Sequence, residues 1–217
     1  MPLPTPNLTA EALGLAPANP DWDATMAQSA VAIVIDWDAT QPGPSLEQED
    51  TGKGPAVLLM QRAEHPSDPW SGQVSLPGGR AEREDKHLLA TSIREAREEL
   101  HIDLDLSAQH LGELPAQRAM AKGRYVDLWI TPHVFELKET VTPKTSVEAK
   151  EFFWLPLGPA RRGDLDHRIP YRREGASSDL LLPGFQFEKR VIWGLTFRML
   201  LSLFQHTSGP IADNKRP

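Results

Sequence analysis

With 217 residues, a hydrophobic share of 40% and a charged share of 24%, the chain has the size and composition of one folded globular unit rather than a disordered polymer. Its formal net charge of −7 argues against a broad nucleic-acid surface, because neutralising phosphates takes a surplus of Lys and Arg. With no cysteine, disulfides, thiolate nucleophiles and cysteine-ligated zinc are excluded, and a reducing, cytoplasmic setting fits.

Residues 1–25 are rich in Pro and Ala and read as a flexible arm, with at most a short helix capped by Thr9. The opening MPLPTPNLTAEALGLAPANP has neither a basic n-region nor a sustained apolar h-region, so no signal peptide is expected. No window approaches the roughly 18 consecutive apolar residues of a membrane span, so no membrane partner is expected. SAVAIVIDWD, Ser29 to Asp38, is an apolar, β-branched run that predicts a buried strand. A polar, Pro- and Gly-rich connection leads to AVLLMQR, the second strand of a hairpin.

GQVSLPGG alternates and then breaks, which predicts a strand running into a tight loop. A helix is predicted from His87 to Leu100, where Leu89, Ile93, Ala96 and Leu100 recur at the spacing of one buried stripe. An extended segment should begin at His101. GELPAQRAM, YVDLWITPHVFEL and AKEFFWLPL read as further strands, and EKRVIWGLTFRMLLSLFQ as a helix. Residues 207–217 read as a frayed tail. One domain over 26–206, with a mixed sheet and one strong internal helix, gives an α/β sandwich.

Glu95, Glu98 and Glu99 fall on one polar face of the internal helix, beside its apolar stripe. Like charges at this spacing destabilise a helix by roughly 0.2–0.5 kcal/mol per pair, and Arg94 offsets only part of the excess. The face is either a solvated charged surface or a site for a hard cation. A Pro-Gly-Gly loop that lets backbone approach a ligand, followed by the carboxylate of Asp85, favours the cation site.

The run from Gly79 through REAREE resembles the Nudix box: Gly, five residues, an acid, then Arg-Glu, an apolar residue, any residue and Glu-Glu. Asp85 stands in place of the usual Glu with one extra residue after it, and His101 stands where the family usually has Gly. That variant spacing is similar to the coenzyme A pyrophosphatase branch, as are VEAKEFFWLPL and RVIWGLTFRMLLSL. Upstream, QRAEHPSDPWSGQVSLPGG keeps Arg62 but lacks that branch's second Arg and carries DPWSG instead.

The resemblance implies a Nudix-type α/β/α sandwich with a mixed β-sheet and a catalytic loop-helix. It implies metal-dependent hydrolysis of a phosphoanhydride in a nucleoside diphosphate linked to another group, coenzyme A or a derivative first and ADP-ribose or a nucleotide sugar second. Glu95, Glu98 and Glu99, with the Gly79 carbonyl, would hold Mg²⁺ or Mn²⁺, and Arg94 would orient a carboxylate. Glu148, or else Glu99, would be the general base. Arg62, Trp70 and Arg80 would meet the small-molecule nucleotide substrate. The arginines at 161, 162, 168, 172 and 173 are further phosphate candidates, and a homodimer is compatible with the reading. A non-hydrolysing nucleotide-binding module is the alternative from another class; a cysteine-dependent isomerase on this fold is excluded by composition.

Overall fold

The computed structural model describes residues 15–17, 27–40, 53–121, 123–172 and 178–206. The helix expected after Thr9, most of the Pro/Gly-rich connection and the tail lie outside them. In chain order the elements are β1 (Gln28–Thr40), β2 (Lys53–Arg62), β3 (Val74–Ser75), β4 (Gly78–Arg80), α1 (Leu88–Leu100), α2 (Leu104–Ser107), β5 (Ala108–Glu113) and β6 (Gln117–Ala121). They continue with β7 (Arg124–Leu137), β8 (Ala149–Pro156), α3 (Leu157–Arg162), β9 (Asp166–Tyr171), β10 (Leu180–Phe187), β11 (Arg190–Trp193) and α4 (Gly194–His206).

A mixed sheet is built around β1. One edge of β1 runs parallel to β7, from Gln28 opposite Trp129 to Ile35 opposite Glu136. The other edge pairs antiparallel with β4 and then with β2. β8 and β3 lie on β2, and β5 and β6 lie on β7. Because alternate residues of a strand face opposite ways, β1, β2 and β7 feed two cores. Ala32, Val34, Leu58, Met60 and Phe135 meet Ala96 and Leu100 of α1. Ile33, Ile35, Val57, Leu59 and Val134 meet Phe197, Met199, Leu200 and Leu203 of α4, together with Phe185 and Ile192 of a second antiparallel sheet, β9–β10–β11. Each fully buried Leu, Ile or Phe contributes about 1.5–3 kcal/mol, so the layers hold each other in place. The architecture is the mixed α/β sandwich expected from the sequence.

Several elements differ from the sequence expectation. The segment after His101 is not extended: His101 caps α1 in the left-handed region, φ 56°, and Leu104–Ser107 forms the one-turn α2. GQVSLPGG divides into β3 and β4, and GELPAQRAM into β5 and β6. The final helix starts only at Gly194, because Arg190–Trp193 is taken up as β11 by pairing with β10. The β9–β11 sheet and α3 have no counterpart in the sequence reading. Within the expected N-terminal arm, Leu15 is buried in the α4-side core and Ala16 bridges to Glu113.

One histidine pair runs from the buried His133 to the half-buried His110 on the α1 side of the sheet. His133, 1% exposed, shares a 3.3 Å hydrogen bond through Nδ1 with His110 Nε2, while its own Nε2 has no hydrogen-bond partner. Among the described residues, no helix is long and apolar enough to cross a membrane.

Candidate active site

The glycine loop is locked onto the sheet before the helix begins. Gly78 and Gly79 pair with Val31 and Ala30 of β1. Gly78 takes φ +154°, and a Cβ there would lie 2.6 Å from Val31 Cα, so only glycine fits. At Gly79 the obstacle is chemical: a Cβ would sit 2.6 Å from the carboxyl carbon of Glu95. The Gly78 N–H donates to Glu99 Oε2 at 2.8 Å. The C-terminal half of the Nudix-like helix is thus packed directly on the loop, and the two glycines are the reason it can be.

His87 caps the N-terminus of α1, its Nδ1 accepting from the Ala90 N–H at 3.0 Å. Arg94 then acts as the hub of the site. Its Nη2 donates to the Arg80 carbonyl at 2.9 Å and to Asp85 Oδ2 at 3.0 Å, its Nε donates to Asp85 Oδ1 at 3.1 Å, and its Nη1 reaches Glu95 Oε1 and Glu98 Oε2, both at 2.9 Å. Asp85 also accepts from the Thr91 hydroxyl and the Glu82 N–H. Burial pushes the Asp85 carboxyl up, but Arg94 and these two donors outweigh it and hold the carboxyl below its ordinary value.

Glu99 is 1% exposed, although a helical wheel puts it on the polar face. Burial pushes its carboxyl up to about 8; Glu95 and Glu148 add to the rise, against the Gly78 N–H and Arg62. Glu95 is also raised, first by burial and then by Glu98 and Glu148, with Arg94 opposing. Glu98 is more open to solvent. Glu148 is exposed, yet its charge acts on both Glu95 and Glu99. Its carbonyl accepts from the Ala63 N–H at 2.8 Å, which ties its loop to the end of β2.

Arg62 continues the Leu58 and Met60 row on the α1 face, at a register shift between Gln61 and Arg62 where β2 pairs with β8. Its guanidinium is engaged by Asp68, with Nε and Nη2 each 2.8 Å from Asp68 Oδ2, while Nη1 points toward Glu99 Oε1 at 3.9 Å. Asp68 was missed by the sequence reading; its only signal was its place in the turn-forming SDPW stretch. Trp70 Nε1 donates to the Met120 carbonyl at 2.8 Å, which ties the DPWSG loop to the β6–β7 hairpin. The Arg80 side chain is exposed. Arg162 and Arg172 pair with Asp164 and Asp179, and α3 packs on the face opposite α1. Arg173 lies outside the described residues.

Among the described residues, no group of three or more His, Asp or Glu is already placed to hold a metal ion. Glu95 and Glu98 are instead drawn onto Arg94. The donor chemistry nevertheless fits a hard divalent cation. The set is all oxygen: the buried Glu99 carboxyl at the Gly78 N–H has Glu95 and Glu148 for neighbours, and Glu95 lies against Gly79.

The chain also resembles known proteins. The family model of the NUDIX domain matches residues 46–173. An uncharacterized Nudix hydrolase, NudL, from Yersinia pestis (strain Pestoides F) is 32% identical over 155 residues, covering 71% of this chain and 73% of that protein. Its counterpart in Yersinia pseudotuberculosis serotype O:1b (strain IP 31758) matches to the same extent. A Nudix hydrolase of known structure from M. smegmatis, RenU, shares the fold with a TM-score of 0.52 at 14% identity, over 94% of this chain and 99% of that one.

Proposed function

We propose that this chain, which belongs to the Nudix hydrolase family and is a pyrophosphatase, cleaves the phosphoanhydride of a nucleoside diphosphate linked to another group, with coenzyme A or a derivative favoured. The carrying observation is the buried Glu99 carboxylate, held by the Gly78 N–H and crowded by Glu95 and Glu148. In this reading Glu95, Glu98 and Glu99, with the Gly79 carbonyl, would hold Mg²⁺ or Mn²⁺, and the ion would supply charge neutralisation for the diphosphate.

The remaining work falls to the chain itself. Glu148 takes the proton of the water that attacks phosphorus, the P–O bond of the anhydride breaks, and two phosphate monoesters leave. Arg94 keeps Glu95 and Glu98 in place from behind. Trp70 and Arg80 line the approach for the substrate, and Arg62 sits between the recognition loop and Glu99. The hydrogen bonding of Arg62 to Asp68 favours a second substrate class, ADP-ribose or a nucleotide sugar, because a cation already satisfied by Asp68 offers less to an additional phosphate such as the one on coenzyme A.

A panel of coenzyme A, ADP-ribose and nucleotide sugars with Mg²⁺ or Mn²⁺, and products identified by mass spectrometry, tests the proposal. Coenzyme A should give adenosine 3′,5′-bisphosphate and a phosphopantetheine. A folded protein that releases no phosphorylated product from any member of the panel would rule the proposal out.

A further inference from the structure

The segment after β2 is where the sequence leaves the branch it resembles, and it carries the Arg62–Asp68 ion pair. Asp68, whose side chain is 15% exposed, spends both oxygens inside the molecule. Oδ2 receives Nε and Nη2 of Arg62, and Oδ1 receives the Trp70 N–H at 2.9 Å. Holding two of the three guanidinium nitrogens fixes the plane of the group, and the third, Nη1, then faces Glu99 Oε1. The loop is closed independently of this pair. The His65 N–H donates to Ser71 Oγ, the Gln73 N–H to the Trp70 carbonyl, and the Gln61 side chain to the Gly72 carbonyl. Trp70 is pinned at its indole by Met120. One residue after Arg62, the Ala63 N–H holds the carbonyl of Glu148.

We propose that Asp68 is a positioning residue for this enzyme: by fixing Arg62 it aims one guanidinium nitrogen at Glu99 and sets the Trp70 loop against the same cation, so that loop and carboxylate move as one unit. This rests on the proposed function, in which Glu99 is a ligand of the catalytic ion and Trp70 meets substrate. Arg62 is then a structural counter-charge rather than a phosphate clamp. A substrate that fits the loop reports its fit to Glu99 through Asp68 and Arg62.

Asp68→Asn keeps the side-chain shape and an acceptor for the Trp70 N–H but removes the charge that holds Arg62. On the best substrate of the wild-type protein it should lower kcat about tenfold with KM changed less than twofold, as a small misplacement of a reacting group would. Asp68→Glu should recover most of the loss, and Asp68→Asn combined with Arg62→Gln should be no worse than Arg62→Gln alone. In parallel, ¹H–¹⁵N spectra read the pair without turnover. The Arg62 Nε–H signal, assigned by its disappearance in Arg62→Lys, should be slow to exchange in wild type and exchange-broadened in Asp68→Asn, with the Trp70 indole signal shifted. An unchanged kcat, a rise in KM alone, or an unmoved Arg62 signal would overturn the inference. A wild-type protein that turns over nothing would instead remove the proposed function, with the spectra still deciding whether the pair holds Arg62.

Discussion

The backbone N–H of Gly78 donates to Glu99 Oε2 across 2.8 Å, so the first residue of β4 and a residue in the last turn of α1 meet at one buried carboxyl group. Glutamine at position 99 keeps an oxygen for Gly78 and removes the cost of burying a carboxylate. Glu99→Gln should therefore unfold at or above the wild-type temperature while hydrolysis falls by about 100-fold or more. Calorimetry and a product assay on the same preparation check both halves, and a variant that retains activity would remove Glu99 from the chemistry.

Arg94 compensates Asp85, whose side chain is almost sealed from water, and also holds Glu95, Glu98 and the Arg80 carbonyl. Arg94→Ala leaves those acids facing one another and should destabilise the fold by about 2–4 kcal/mol in urea. Arg94→Lys should recover only part of that, because one ammonium cannot span four partners set around a planar fork. Equal stability of the alanine variant and wild type would show that the hub contributes nothing to folding.

The buried His133 gives the protein a pH dependence of stability. Burial, then the neighbouring His110 and His87, push its imidazole down to about 3 from an ordinary value of 6.5. Burial holds His110 below its ordinary value as well. The unfolded chain takes up a proton near pH 6.5 where the folded one does not. The stabilisation is therefore complete above that pH and is lost as pH falls toward 3, at up to about 1.4 kcal/mol per pH unit for each group. Urea midpoints at several pH values should fall less steeply for His133→Gln than for wild type; parallel slopes would refute the assignment.

His101 ends α1 at φ 56°, a conformation that costs an L-residue energy and costs glycine little. Its ring makes a compensating 3.0 Å hydrogen bond with the Lys144 carbonyl. His101→Gly should raise stability by about 0.5–1 kcal/mol, net of that bond. A fall in the urea midpoint would mean that tying the 141–148 loop to the helix outweighs the backbone strain.

The sequence was legible where periodicity or residue type acts locally. Leu89, Ile93, Ala96 and Leu100 located α1, and the crowded glutamates with the Pro-Gly-Gly loop pointed to the candidate site. It was less legible where partners are distant. Glu99 reads as surface on a wheel because no wheel contains Gly78, and Arg62 reads as free because Asp68 lies across a turn. Pro170 and Pro183 argue against strands at β9 and β10, yet β10, which carries Pro183, is the middle strand of its three-stranded sheet. Arg190–Trp193 has helical spacing, yet β10 claims its backbone before α4 can extend to it.

The parallel seam between β1 and β7 also shapes how the protein comes into being. Gln28 and Trp129 sit opposite each other but are separated by roughly 100 residues of chain, and the central strand can acquire this neighbour only after everything between them has been made. During synthesis, β1 and β2 can form a hairpin early and then wait, with one apolar edge of β1 open. The slow step of folding is therefore expected to be the arrival of β7 at that edge.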